Sequence, residues 1–428
     1  MQNILKYRWL IIAVVAGVTA FLGYNMRGLV LETDVTKFLP ETNPKVKFYK
    51  EIGEKFGGNY IGLIIIETED VFKKSTISKI RKLIKEIKLI KGITNVIGLT
   101  NMMDIKRIEG GIEVTDLIGD EELSQDSLYK IREYVLKRER YRGRVVSEDC
   151  HYTAIICQFS ESADKMQVAK EIMSISRKYE GKDKFSFTGT PFSMVQVGAM
   201  IKKDIKVLIG IIIVLVPLIL FICFRNLMGV FLPLLASAIS VVWVFGLMSL
   251  FKRPITIASD TIPVLLIAIG TAYGIHLINR YDEDKNILVA LKEVFLPVML
   301  AAITTFIGFM SFLTSRLKII RDFGIFTGIG VIVAFLMTVT LLPAIISFRK
   351  VRFESKELSF RSILTSIANF VFNRKTLILV VVAIIAMMAI AGIPKIKPEA
   401  NLEEYFPKNS ELREGIELAR DKFGGAMP

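Results

Sequence analysis

The amino-acid sequence predicts a polytopic α-helical membrane protein. A polar α+β domain is inserted after its first span, and the opening of a second, similar unit stands at its end. Three observations predict this. Seven apolar runs approach or exceed the roughly 20 residues that a helix needs to cross a bilayer, in a chain of 428 residues that is 52% hydrophobic with a mean hydropathy of +0.47. One long stretch, 25–204, interrupts them with dense charge of both signs. Short motifs near the two ends recur at one fixed spacing.

The net charge of +14, from 56 basic and 42 acidic residues, fits loops that keep Lys and Arg on the cytoplasmic side. No recognisable nucleic-acid module accompanies it. No G-x-x-x-x-G-K-[ST] phosphate loop occurs, and two histidines placed at 151 and 276 support no Ser-His-Asp arrangement. An enzyme is not expected, and neither is a metal or cofactor. If Cys150 and Cys157 lie on one strand, their odd separation puts them on opposite faces and makes them a poor disulfide pair. Cys223 falls in an apolar run.

Trp9–Tyr24, preceded by Lys6 and Arg8, reads as an uncleaved first span rather than a signal peptide, because apolar residues continue past the small-residue site Val18-Thr19-Ala20. In 25–204 the patterns alternate. Ile61–Glu67 is a buried strand. Ser75–Ile90 places Ile77, Ile80, Leu83, Ile84 and Ile87 at a helical period. Ile93–Leu99 is a second strand, and Ile105–Ile108 with Ile112–Leu117, joined through Glu109-Gly110-Gly111, a hairpin. Ser124–Arg140 is a helix, Tyr152–Phe159 a strand, Ala163–Tyr179 a helix and Phe185–Thr190 the last strand. A compact two-layer α+β domain follows. Its Lys-rich helix 73–91 and Glu121-Glu122 read as solvated faces, and His151 as structural.

Five spans come next: Ile205–Phe224, Met228–Leu250, Ile257–Asn279, Leu291–Leu313 and Phe323–Phe348. The linker 349–375 carries Arg349, Lys350, Arg352, Lys356, Arg361, Arg374 and Lys375, which marks the cytoplasmic side and puts 25–204 outside. Thr376–Ile393 is the seventh span. Beyond it, Asn401–Pro407 repeats Asp34–Pro40, and Lys422–Gly425 repeats Lys55–Gly58 (K-F-G-G in both), each 367 residues on; the first and seventh spans fall in step at that spacing. The expected layout is therefore 1–24 first span, 25–204 extracytoplasmic domain, 205–348 five-helix bundle, 349–375 basic cytoplasmic linker, 376–393 seventh span and 394–428 the start of a second domain. That last segment lacks the rest of its core, so it is expected to be poorly ordered or swapped onto another copy.

The motifs Phe38-Leu39-Pro40, Phe187-Thr188-Gly189-Thr190-Pro191, Gly270-Thr271-Ala272-Tyr273-Gly274-Ile275-His276 with Asn279-Arg280-Tyr281, Thr304-Thr305-Phe306-Ile307-Gly308-Phe309, Arg321-Asp322-Phe323-Gly324 and Leu341-Leu342-Pro343-Ala344 carry a resemblance over the whole chain. It resembles the RND superfamily of exporters, in particular the MmpL-like branch with its sterol-sensing-type membrane bundle. The resemblance implies an N-terminal half: one complete repeat with a porter-like domain, plus the start of a second. It implies proton-driven export of lipids or other hydrophobic molecules from the cytoplasmic membrane. Partners would be membrane lipids, a hydrophobic substrate, and a second half of the same protein or another copy. Many members carry an aspartate just before the tyrosine of the fourth span to take and release the proton; Ala272 stands at that position here.

His276 is the natural substitute. It lies one turn from Ala272 on the same helix face, with Tyr273 beside it, and imidazole titrates near neutrality. The alternative is a histidine at the membrane interface that merely snorkels. Gly270 and Gly274 form a small-xxx-small pair for close helix approach. Pro263 and the other span prolines can break or kink their helices. Thr304 and Thr305 are helix-facing hydroxyls and possible relay neighbours. Asp260, Lys292-Glu293 and Arg321-Asp322 sit at span ends and read as peripheral. The competing function is a lipid sensor or assembly scaffold that transports nothing, since Ala272 lacks the acid.

Overall fold

The computed structural model describes residues 6–38, 43–56, 58–108, 111–119, 124–348, 360–396 and 410–424, with 40, 406 and 407. Of the sequence expectations, Leu39, Gly57, Glu109-Gly110, Glu121-Glu122, the linker 349–359, Asn401–Tyr405 and Gly425 lie outside the described residues. In chain order the elements are α1 (Arg8–Asn25), α2 (Pro44–Phe56), β1 (Tyr60–Glu67), α3 (Lys74–Lys88), β2 (Ile93–Ile97), β3 (Met103–Ile108), β4 (Gly111–Asp116) and α4 (Gln125–Leu136). Then follow β5 (Tyr152–Phe159), α5 (Lys165–Lys178), β6 (Lys184–Gly189), α6 (Thr190–Phe224), α7 (Leu227–Leu250), α8 (Ile262–Asp284) and α9 (Ile287–Met310). Last come α10 (Lys318–Leu336), α11 (Leu342–Ile346), α12 (Phe360–Asn373), α13 (Lys375–Gly392) and α14 (Glu411–Phe423). They sort into a helical unit, Met1–Leu31 with Lys203–Ala400, and a sheet unit, Glu32–Lys202 with Asn401–Pro428.

The sheet unit is built on the antiparallel order β2-β5-β1-β6, and β3 pairs with β4 as a separate hairpin. The β1 sequence Y-I-G-L-I-I-I-E is apolar on both faces, so it needs cover on both. Ile64 and Ile66 face one core with Ile77, Ile80, Leu83 and Ile84 of α3 and Val168, Ala169 and Ile172 of α5. Ile65 faces the other way, against Ala419 and Phe423 of α14.

This corrects two expectations. The domain has three layers rather than two. Residues 411–423, expected to be poorly ordered or swapped, form a helix on the sheet of their own chain. Leu412, Gly415, Ile416, Ala419 and Phe423 are its buried face. A Cβ on Gly415 would stand 2.6 Å from the Phe187 carbonyl oxygen, so the absence of a side chain is what lets the helix backbone lie on β6. The ends are fixed by charge: Arg177 reaches both Glu411 oxygens at 3.1 Å, and Lys422 donates to Asp149 at 2.7 Å.

The Lys422 pair makes the seating of α14 sensitive to pH. Partial burial works to raise the Asp149 pKa, but hydrogen bonds from Lys422, the Ser147 hydroxyl and the His151 N–H together outweigh it and hold the carboxyl well below its ordinary range. Its partner Lys422 is shifted up by the same bond. A depressed carboxylate contributes stability that is complete above its unfolded pKa, about 4, and is lost as pH falls below that. Amide exchange in 411–423 is therefore expected to quicken below about pH 4, and Lys422→Ala should show the same quickening at neutral pH.

The spacing of 367 residues seen in sequence is reproduced by the elements themselves. Helix α1 begins at Arg8 and α13 at Lys375; α1 ends at Asn25 and α13 at Gly392. The one-turn 3₁₀ helices behind them, Met26–Gly28 and Ile393–Lys395, and the later helices α2 and α14 keep the same offset at both ends. Sequence reading missed α2, because Lys45, Lys47, Lys50 and Lys55 mask a short apolar period.

Among the described residues seven helices are long and apolar enough to cross a membrane. In the helical unit α7, α8 and α10 pack on one another, α9 joins α8 and α10, and α1 lies along α7. Trp243 of α7 donates to the Thr19 hydroxyl of α1 at 2.9 Å, and Arg8 donates to the Ser347 carbonyl at 3.1 Å. Helix α6 begins at Thr190, ahead of the expected span, because the last strand turns directly into it at Gly189. The basic linker is not structureless: α12 occupies Phe360–Asn373. Between α10 and α11 the helix widens to a π turn, Met337–Leu341. Pro343, which has no N–H to donate, sits just beyond it.

Candidate functional site

The candidate site is the middle of α8, where the structure separates the sequence-predicted residues into three directions. Gly270 and Gly274 face α7. A Cβ on Gly270 would stand 2.6 Å from the Ser237 hydroxyl, and one on Gly274 would stand 2.7 Å from the Pro233 ring. The small-xxx-small pair is thus where α7 and α8 touch backbone to backbone. Tyr273 also turns inward and is buried; its hydroxyl has no hydrogen-bond partner among the described residues, although the Thr305 hydroxyl of α9 faces it.

Ala272 and His276 point the other way. Both are exposed on the outer stripe of α8, together with Ala268 and Asn279. The structure therefore brings Tyr273 toward Thr305 but does not bring His276 to either. Thr304 and Thr305 each bond back to their own helix, Thr304 to the Leu300 carbonyl at 2.9 Å and Thr305 to the Ala301 carbonyl at 2.7 Å. Such back-bonding leaves the hydroxyl oxygens as acceptors. Pro263 lies in the first turn of α8, where no intrahelical donor is needed, so it opens the helix instead of bending it. Pro217, Pro233 and Pro297 do lie inside their helices.

The two ends of α8 carry the charges. At its C-terminal end Arg280 pairs with Glu283, with Asp284 at 3.1 Å and with Glu293 of α9, tying the α8–α9 connection. Near its start Arg253 reaches Asp322 of α10 at 3.5 Å. Asp260 stands in the 3₁₀ turn Ser259–Thr261 that leads into α8 and is 5% exposed. Sequence reading placed it at the periphery; the packing of α10 on this turn is what encloses it.

Among the described residues no group of three or more His, Cys, Asp or Glu side chains is placed to hold a metal ion. The sheet unit has a pocket of about 400 Å³ walled by Glu67, Glu69, His151, Lys184 and Lys422 among others. His151 is fixed there by Nδ1 against the Glu69 carbonyl at 2.8 Å. Walls of that charge suit polar ligands and not an apolar molecule. Cys150 and Cys157 are buried and unpaired to each other, and Cys223 is exposed.

Comparison with known proteins gives this geometry a family. A membrane protein of Methanocaldococcus jannaschii is 26% identical over 371 residues, which are 79% of this chain and 90% of that one. The hopanoid transporter HpnN of Rhodopseudomonas palustris is 30% identical over 168 residues, 37% of this chain and 19% of its own length. The sulfolipid-1 exporter MmpL8 of Mycobacterium tuberculosis is 28% identical over 172 residues, 37% of this chain and 16% of its own. The chain thus spans most of its archaeal relative and under a fifth of either of the other two. A family model described as MMPL matches residues 37–368, which take in all six strands and all of α2 to α11, and the chain belongs to the MMPL family.

Proposed function

We propose that this protein exports a lipid or another hydrophobic molecule from the cytoplasmic membrane and that the proton gradient drives it. Its membership of a family whose relatives include a hopanoid transporter and a sulfolipid-1 exporter carries the reading. The sheet domain, on the extracytoplasmic side, takes the substrate from the outer leaflet. The bundle converts protonation into movement of α8 against α7, for which the glycine contact at Ser237 and Pro233 gives a smooth surface. His276 is the proton relay in this reading; its exposed place on α8 leaves the imidazole free to meet a second repeat or another copy.

The test is the purified chain in liposomes with a fluorescent lipid and an imposed pH gradient. Gradient-dependent lipid transfer is expected, and His276→Ala should abolish it while leaving the melting temperature unchanged. Undiminished transfer by the Ala variant would remove the relay. No gradient-dependent transfer by the unaltered chain would favour a lipid sensor or scaffold, the reading that Ala272 keeps open.

A further inference from the structure

We propose that Asp260, at the head of α8, is a group through which this chain takes up and releases its proton. The turn that holds it is rigid. The Thr256 N–H donates to the Ser259 hydroxyl at 2.7 Å, and the Asp260 N–H donates to the Thr256 carbonyl at 3.1 Å. Within that turn the Asp260 side chain is 5% exposed, and its Oδ1 is buried with no hydrogen-bond partner among the described residues. Buried carboxylate oxygens are almost always bonded, and one that is not calls for an explanation.

Among the described residues no Lys or Arg forms an ion pair with Asp260. Asp204 on α6 acts on it with a like charge, against one hydrogen bond that the Thr261 N–H donates to the carboxyl group. Helix α10, which packs on the turn, brings Asp322, and that carboxylate is already held by Arg253. A buried carboxylate with no ion-pair partner, near a second carboxylate, favours the state that carries a proton. When the proton leaves, the charged group must swing toward water or away from Asp204. Because the turn is braced from Thr256 to Ser259, the head of α8 moves with it, along the glycine seam that touches α7. Ionisation at Asp260 is in this way a displacement of the helix whose middle has alanine in place of the usual acid.

This rests on the proton-driven reading above, so the experiment has a part that needs no transport. The whole chain in lipid is titrated while the carbonyl stretch of protonated carboxyl groups is followed by infrared difference spectroscopy. One component of that pH-dependent band is expected to be missing from Asp260→Asn and kept in His276→Ala. In liposomes Asp260→Asn should lose all acceleration by the pH gradient while melting at the same temperature as the unaltered chain. An Asp260→Asn difference spectrum identical to that of the unaltered chain overturns the proposal. So does a band erased by sodium at constant pH, which makes Oδ1 a cation ligand instead. If the unaltered chain moves no lipid, the transport reading fails, and the infrared band still decides the proton site.

Discussion

Replacing Gly189 by alanine should prevent the sheet unit from folding stably. Gly189 is the last residue of β6, has a φ of +100° and pairs with Gly62 of β1. In that conformation an added Cβ falls well inside van der Waals contact with the Ile61 carbonyl oxygen and 3.1 Å from the Gly62 Cα. Both obstacles are backbone, so no rotamer change relieves them; β6 must part from β1, or the turn into α6 must change direction. Backbone strain and overpacking together put the effect on the order of 3 kcal/mol. That is a large share of the stability of any domain. Gly111→Ala, where a Cβ meets nothing within 4 Å, should be close to neutral. Limited proteolysis of the two variants side by side reads the difference, and equal resistance would remove the strain argument.

The second large effect is expected at Asp104. This carboxylate is fully buried and accepts hydrogen bonds from Tyr141 at 2.7 Å and from Tyr134 at 2.8 Å. Arg138 lies 3.7 Å away and Lys106 3.5 Å away. It ties the base of the β3–β4 hairpin to α4 and the loop behind it. The phenol of Tyr141 is pushed up, first by burial and then by the carboxylate it donates to. Asp104→Ala leaves two phenols without their acceptor and two cations without their counter-ion, a loss of about 3 kcal/mol. Asp104→Asn keeps an acceptor and should lose less. Amide exchange across 103–146 is the readout, and an unchanged pattern in the Ala variant would show that the hairpin is held by something else.

How far the sequence reveals these sites depends on whether a residue's partner is local. The strand at β1 is legible because seven consecutive residues from Ile61 to Glu67 can do little else, and the seven spans are legible because length and polarity suffice. The third layer is not, since nothing near β1 says that its second cover comes from residues 411–423. At the candidate site, the spacing of Gly270 and Gly274 announces a close contact, but not that Ser237 and Pro233 receive it. Helical geometry alone puts His276 and Ala272 on one face and Tyr273 to the side. Which of them faces the bundle is decided by the neighbouring helices, and it proved to be Tyr273. Asp260 reads as an interfacial residue because it precedes the apolar run; its enclosure comes from α10, more than fifty residues further on. The helix α2 hides among lysines, and its existence shows most plainly through its counterpart α14.

The place of α14 also sets a timetable for synthesis. The sheet is complete once the ribosome has passed Gly189, yet the helix that covers Ile65 and Ala154 begins only at Glu411. Six of the seven membrane-spanning helices lie between those two points. Through the insertion of all six, one apolar face of a finished sheet stands open to water and to whatever chaperone waits on that side. The domain closes only after those six helices have been made, so an insertion failure among them leaves a sticky sheet behind.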